Sequence, residues 1–143
     1  MLSLSPAAAF GIQAMEVLAE ERRQDPMTLR EICGRSGASR DYLAKILGTL
    51  AKQDLVEAVR GKNGGYRLAR PAESVSLLEI IEAVEGPICL NLCQHDPPRC
   101  QREECPVRAV WADIQHCMRE RLGGVTLAQC AAPEAPEPAD AVS

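Results

Sequence analysis

The segment spanning residues 28–69 constrains the fold more than any other part of the 143-residue chain. Thr28, with Glu31 three residues later, forms a capping box that predicts a helix start, and Gly37 predicts the end of that helix. Ser39 is suited to cap a second helix, whose apolar residues recur at helical spacing: Leu43, Ile46, Leu47 and Leu50. The pattern predicts two helices joined by a short glycine-containing turn.

A glycine-rich turn follows this helix pair. Residues 61–65 read Gly-Lys-Asn-Gly-Gly, and strand-like residues flank them, namely Leu55, Val56, Val59, Tyr66 and Leu68. Such a pattern predicts a β-hairpin. Aromatic residues make up only 3% of the chain, so the core must be built from aliphatic side chains, which favours helices. We therefore predict a mainly α fold with a small β-hairpin.

Three further helices are predicted outside this segment. Ser5 and Pro6 suit the start of the first, a capping box of Ser76 and Glu79 starts another that stops at Gly86, and Pro106 suits the first position of a last helix over residues 107–122. The predicted organisation is a helix–turn–helix unit with its hairpin at 1–86, a cysteine-containing loop at 87–106, a long helix with a C-terminal extension at 107–130, and a disordered tail rich in Pro and Ala at 131–143.

The net charge of −4 conceals a basic segment. Residues 28–70 contain 9 Lys and Arg against 4 Asp and Glu, whereas residues 71–143 contain 5 against 12. A basic segment within an acidic chain is typical of a nucleic-acid-binding face. No apolar run approaches the roughly 18 residues that span a bilayer, and no signal peptide is evident. We expect a cytoplasmic protein without a membrane partner, in which the seven cysteines favour metal or redox roles over disulfides.

A helix–turn–helix followed by a hairpin is the winged-helix arrangement, in which the second helix enters the major groove of DNA. The residues that would meet double-stranded DNA from that helix are Ser39, Arg40, Asp41, Tyr42 and Lys45. The hairpin, or wing, adds Arg60, Lys62, Asn63 and Arg67. Because the chain has only two histidines and no pairing of a nucleophile with a base, we expect no enzyme activity.

The cysteines of the predicted loop suggest a metal centre. Cys93, Cys100 and Cys105 are separated by six and four residues, and three thiolates on one loop can converge on a soft metal. Zinc and iron–sulfur clusters both accept such ligands, but the sequence lacks the paired CxxC of structural zinc sites. Thiols without a metal remain an alternative.

Four motifs accompany this cysteine loop: Leu29-Arg-Glu-Ile32, Val59-Arg-Gly-Lys-Asn-Gly-Gly-Tyr66, Ile80-Ile-Glu-Ala-Val84 and Cys105-Pro-Val-Arg-Ala-Val-Trp111. The combination resembles the IscR/NsrR/RirA family of bacterial iron–sulfur transcription regulators over about residues 3–128. The resemblance implies a winged-helix homodimer that pairs through its long C-terminal helix and reads a palindromic operator. It also implies a 2Fe–2S or 4Fe–4S cluster on Cys93, Cys100 and Cys105 that senses iron supply, redox state or nitric oxide.

The chain departs from that family at the fourth cluster ligand. Family members commonly have equal gaps between the three cysteines, whereas the gaps here are unequal. Arg108 stands where IscR-like members supply a His, and Ala9 stands where NsrR-like members use an Asp. Cys89 is the nearest substitute, with His95 and Asp96 as further candidates, so that the fourth ligand stays unassigned.

The remaining cysteines are expected to have structural roles or none. Cys33 is expected in the core, Cys117 at the dimer seam, and Cys130 as a free thiol, while His116 is expected on the surface and Trp111 in a packed position.

Three other functions remain open from the sequence. They are a metal-free thiol-redox regulator of the same fold, a zinc-stabilised interaction domain, and an electron carrier or enzyme that uses the cluster.

Overall fold

The computed structural model describes residues 3–20 and 25–132. Its helices are α1 (Pro6–Glu20), α2 (Leu29–Ser36), α3 (Arg40–Lys52), α4 (Leu77–Glu85), α5 (Arg108–Gly123) and α6 (Leu127–Cys130), and its strands are β1 (Val56–Val59) and β2 (Gly65–Leu68). The strands form a two-stranded antiparallel sheet. The predicted mainly α fold with a β-hairpin wing is confirmed.

The core consists of aliphatic side chains around α1, which contacts α2, α3, α4 and α6. Phe10 and Tyr66 pack against this core but are only half-buried. The largest fully buried side chains include Met15, Ile32, Leu43, Leu47, Leu50, Leu55, Ile80 and Leu127. The low aromatic content therefore predicted the character of the core correctly.

Helix α2 begins and ends where the sequence predicts. The Thr28 hydroxyl accepts a hydrogen bond from the Glu31 amide at 3.3 Å, and the Glu31 carboxylate accepts one from the Thr28 amide at 2.8 Å. Gly37 ends the helix with a φ of 72°, a left-handed conformation that glycine adopts at low cost. Ser39 occupies the N-cap position of α3, but its side chain makes no capping hydrogen bond.

We expect Ser76→Ala to lower the free energy of unfolding by about 1 kcal/mol, because the Ser76 hydroxyl caps α4. This hydroxyl accepts a hydrogen bond from the Glu79 amide at 3.2 Å, within the second predicted capping box. Ser39→Ala is the matched control, since Ser39 holds the same helical position without a capping bond. Urea unfolding of both variants in the absence of DNA measures the difference; equal losses would contradict the assignment.

Backbone hydrogen bonds hold the wing beside the start of the helix–turn–helix. Met27 and Tyr66 exchange two backbone hydrogen bonds, at 2.8 and 2.7 Å, immediately before α2. A Cβ atom on Gly65 would lie 2.2 Å from the Met27 carbonyl oxygen, so this close approach requires glycine. At the turn, a Cβ on Gly64 would lie 2.3 Å from the Val59 carbonyl oxygen. Gly65 thus allows the wing to approach the backbone at Met27, and Gly64 allows the turn to close.

The C-terminal region differs in part from the prediction. The long helix is present as α5, but Pro106 precedes its N-cap residue Val107 instead of opening the helix. Helix α6 was not predicted; a capping box of Thr126 and Gln129 starts it, and Leu127 is fully buried. The backbones of residues 75–77 and 125–127 also hydrogen-bond to each other. Residues 133–143 of the predicted tail lie outside the described residues.

Candidate DNA interface and cysteine loop

The start of α3 presents polar side chains on the surface of the helix pair. Buried leucines and isoleucine fix one side of the helix, while the predicted DNA-contacting residues Ser39, Arg40, Asp41, Tyr42 and Lys45 are all exposed. The Tyr42 ring also packs edge-to-face on Phe10 of α1, with centroids 5.8 Å apart. This contact holds the aromatic side chain at the N-terminal end of the helix.

The basic residues of this surface fall into two groups: those whose side chains have no partner within the described residues, and Arg67, which is paired. Within the described part of the chain, no hydrogen-bond or ion-pair partner is found for the side chains of Arg40, Lys45, Arg60 or Lys62. Arg30, on the exposed surface of α2, belongs to the same group and was missed as a candidate, although it lies within the basic segment. Cations without internal partners are available to DNA phosphates.

Arg67 is different, because it forms an ion pair inside the wing. Its Nε donates to Glu57 Oε2 at 2.8 Å, and the two residues lie directly opposite each other in the β1–β2 register. The hydrogen bond, and then the charge, of Arg67 lower the pKa of the Glu57 carboxyl, and the same contacts raise the pKa of Arg67. Both groups are therefore charged at neutral pH, and together they contribute no net charge.

The loop between α4 and α5 contains the predicted metal ligands. Cys93, Cys100 and Cys105 are half-buried free thiols, as is Cys89, and the only regular structure described there is a 3₁₀ turn over Leu92–Gln94. Among residues 3–20 and 25–132, no three His, Cys, Asp or Glu side chains are grouped closely enough to hold a metal ion. The structure thus places the cysteines on one loop without bringing them together around a centre.

Gln94 connects several parts of this loop. The Cys89 thiol donates to the Gln94 carbonyl oxygen at 3.7 Å, and Gln94 Nε2 donates to Cys93 Sγ at 3.3 Å. The same amide donates to the Arg108 carbonyl oxygen at 3.4 Å, at the start of α5. Sequence patterns did not identify Gln94, because these contacts depend on the path of the loop.

Arg108 closes the other end of the loop. Its backbone amide donates to the Cys105 carbonyl oxygen at 3.1 Å, and its Nη2 donates to the Arg102 carbonyl oxygen at 2.6 Å. A guanidinium has no lone pair to offer a metal and stays protonated. Arg108 therefore supports the loop backbone and is not a candidate metal ligand. Cys89 and His95 border one cleft of about 570 Å³, beside Leu4 and Met118.

The remaining predicted positions are mostly as expected. Cys33 packs against the core, and His116 is exposed and lies 3.2 Å from Glu120. Trp111 is half-buried. Cys130 is half-buried, and burial, followed by the nearby Glu16 carboxylate, raises the pKa of its thiol. The Cys130 thiol therefore stays protonated at neutral pH, which lowers its reactivity.

Helix α5 uses one side for contacts within the chain and leaves another exposed. Arg119 pairs with Glu82 of α4, and Gln115 accepts a hydrogen bond from the Leu90 amide at 3.0 Å. An apolar stripe at helical spacing is exposed, with Val107 at 49%, Val110 at 54% and Ile114 at 44%, followed by Cys117. Exposed large apolar side chains in a row mark an interaction surface.

No described helix is both long and apolar enough to cross a membrane.

A helix–turn–helix with an exposed recognition helix and a basic wing defines a winged-helix DNA-binding protein. A family model described as "Rrf2: Iron-dependent Transcriptional regulator" matches residues 4–133, and the chain belongs to this family. The HTH-type transcriptional regulator IscR of Xenorhabdus nematophila is 30% identical over 126 residues, which cover 88% of this chain and 77% of the relative.

Two solved structures are similar over most of the chain. CymR (YrzC), the global cysteine regulator of B. subtilis, has a TM-score of 0.78 at 29% identity, covering 92% of this chain and 97% of CymR. The T. potens IscR structure has a TM-score of 0.72 at 31% identity, covering 89% and 84%. The protein is accordingly a DNA-binding transcription regulator and not an enzyme.

Proposed function

We propose that this protein is a cytoplasmic regulator whose affinity for a DNA operator is controlled by an iron–sulfur cluster. The cluster, of the 2Fe–2S or 4Fe–4S type, would be held by Cys93, Cys100 and Cys105 and would sense iron supply, redox state or nitric oxide. The observation that carries this proposal is the loop itself, in which three half-buried free thiols lie between α4 and α5. The family description as iron-dependent regulators supports the same reading.

The donor set fits such a cluster. Thiolates are the usual ligands of iron–sulfur clusters. A bound cluster would supply a redox-active centre, and a change in its oxidation state or its loss would be the signal. Few backbone hydrogen bonds hold the loop between Cys93 and Cys105, chiefly those of Gln94 with Asn91 and of Arg99 with Leu92. The loop can therefore adjust to bring the sulfur atoms together at a small cost in broken hydrogen bonds.

Cys89 is our candidate for the fourth ligand, with His95 as the alternative in the same cleft. Gln94 contacts both the Cys89 thiol and Cys93 Sγ, so that these two sulfur atoms belong to one hydrogen-bonded network. An N–H donor to a ligand sulfur also fixes the orientation of that side chain. Gln94 would thus hold and orient Cys93 in the assembled site.

The DNA contacts proposed for each protomer come from two elements. The N-terminal end of α3 would read base edges in the major groove, with Ser39, Asp41 and Tyr42 near the bases and Arg40 and Lys45 near phosphates. The wing would lie against the minor groove, where a narrow groove attracts basic side chains. Its proposed contacts are Arg60, Lys62 and Asn63, whereas Arg67, also predicted to contact DNA, is paired with Glu57 in the free protein.

A second copy of this chain is the proposed partner for the apolar stripe on α5. Pairing of Val107, Val110 and Ile114 with the same stripe of another protomer would remove these side chains from water. A two-fold symmetric dimer presents two recognition helices, which suits a palindromic operator. The Cys93–Cys105 loop leads directly into α5. Ordering of this loop can therefore change the spacing of the two recognition helices in the dimer.

The test of the proposed function compares the cluster-loaded protein with the protein stripped of metal. We expect an anaerobic preparation to contain iron and sulfide in matching amounts, and to absorb visible light. Its affinity for an operator selected from random DNA should differ from that of the stripped protein by about 5- to 150-fold, the usual size of such a coupling. Equal affinities of the two forms would contradict the proposal, since a switch requires different affinities.

A thiol-redox regulator without metal is the second candidate function. The similarity to the global cysteine regulator CymR favours it, as does the shared contact of Cys89 and Cys93 with Gln94. In that case the anaerobic protein would contain no iron, and diamide would change its DNA affinity reversibly. Stoichiometric zinc without salt-dependent DNA binding would instead indicate a zinc-stabilised interaction domain.

A further inference from the structure

The stem and the tip of the wing differ in charge. The stem is the β1–β2 pair, whose exposed charged residues are Glu57 and Arg67, and the tip is the turn with Arg60 and Lys62. Glu57 and Arg67 are about half-exposed, at 51% and 46% of their side-chain surfaces, so both are within reach of an approaching duplex. The stem is therefore neutral, whereas the tip has two cations.

We propose that Glu57 is a specificity-determining residue, which keeps Arg67 in an ion pair and so prevents the wing stem from binding phosphates of any sequence. This inference rests on the DNA interface proposed above. Phosphate contacts add affinity without sequence information, so fewer of them raise the ratio of specific to non-specific binding. The recognition helix and the wing tip are then left to determine where the protein binds.

Three features of the wing favour the pairing of Arg67 with Glu57 over its contact with a phosphate. The antiparallel register places Glu57 and Arg67 directly opposite each other, where side chains lie close. The 2.8 Å contact uses the Arg67 Nε, so a phosphate oxygen that approaches Arg67 must compete with the carboxylate and is repelled by it. Finally, the Met27–Tyr66 hydrogen bonds hold the strand that contains Arg67 against the helix–turn–helix.

The test measures binding to a random-sequence duplex of about 24 base pairs by fluorescence anisotropy, between 50 and 200 mM KCl. We expect Glu57→Gln to tighten this non-specific binding several-fold. It should also steepen the slope of log K against log[salt] by about 0.9 for each protomer, and hence by about 1.8 for the proposed dimer, because each freed Arg67 adds one phosphate contact. Affinity for the selected operator should rise less, so the specificity ratio falls. Circular dichroism checks that the variant remains folded.

The double variant Glu57→Gln/Arg67→Gln separates the proposed mechanism from simple repulsion. If Glu57 acts by holding Arg67, the double variant returns the salt slope to the wild-type value. A gain that persists in the double variant, or a Glu57→Gln protein that binds like the wild type, would overturn the inference. The variant Arg60→Gln/Lys62→Gln tests the proposed interface itself, because an unchanged slope in this variant would mean that the wing tip makes no phosphate contact.

Discussion

Replacing Cys93, Cys100 and Cys105 together by serine is expected to remove essentially all iron, sulfide and visible absorbance from the anaerobically purified protein. Serine hydroxyls are poor ligands for iron–sulfur clusters compared with thiolates, and three of the proposed ligands are lost at once. Because these side chains are not part of the hydrophobic core, the winged-helix domain should stay folded. Iron and sulfide analysis, together with the absorbance spectrum, measures the effect.

The double variant Cys117→Ser/Cys130→Ser is the matched control, since it removes thiols that lie outside the loop. It should retain the iron content of the wild type. Full iron in the triple-serine variant would exclude the proposed site, whatever the protein's DNA affinity. A separate Cys89→Ser variant tests the fourth ligand: altered spectrum or iron content supports Cys89, and unchanged values would contradict its assignment.

The variant Val110→Glu/Ile114→Glu is expected to convert a dimer into a monomer at micromolar concentration. Each apolar side chain of this size contributes about 1.5–3 kcal/mol when buried, and a symmetric interface would contain each of them twice. Introducing four carboxylates without partners adds a further penalty. We therefore expect the dimer dissociation constant to rise by about 1000-fold or more. Sedimentation equilibrium measures it.

Ala112→Glu is the control for this prediction, because Ala112 is exposed on a different side of α5 and lies outside the apolar stripe. It should leave the dimer unchanged. The monomeric double variant should also lose most of its operator affinity, since a single recognition helix reads only half of a palindrome. A double variant that remains dimeric would show that another surface pairs the protomers.

Elements that depend on nearby residues followed from the sequence. The capping boxes at Thr28 and Ser76 join residues three apart, and Gly37 ends α2 through its own backbone freedom. The hairpin likewise followed from its glycine-rich turn and flanking strand residues. These interactions need no information from distant parts of the chain, so their residue types and spacing were sufficient.

Features that depend on distant contacts did not follow from the sequence. Helix α6 is a single turn, too short to be stable alone, and is held by the buried Leu127 and by hydrogen bonds to residues 75–77. The contacts of Gln94 likewise depend on how the loop turns back toward α5. Arg67 was identified as a DNA contact from its charge, whereas strand register alone decided that Glu57 lies opposite it.

The helix–turn–helix, the wing and the positions of the loop cysteines thus follow from residue types and their spacing. Which charges remain without partners, and which apolar side of α5 stays exposed, depends on how the folded chain packs. The physical reason is that charge and hydrophobicity belong to single residues, whereas pairing and burial arise when segments far apart in the chain pack together.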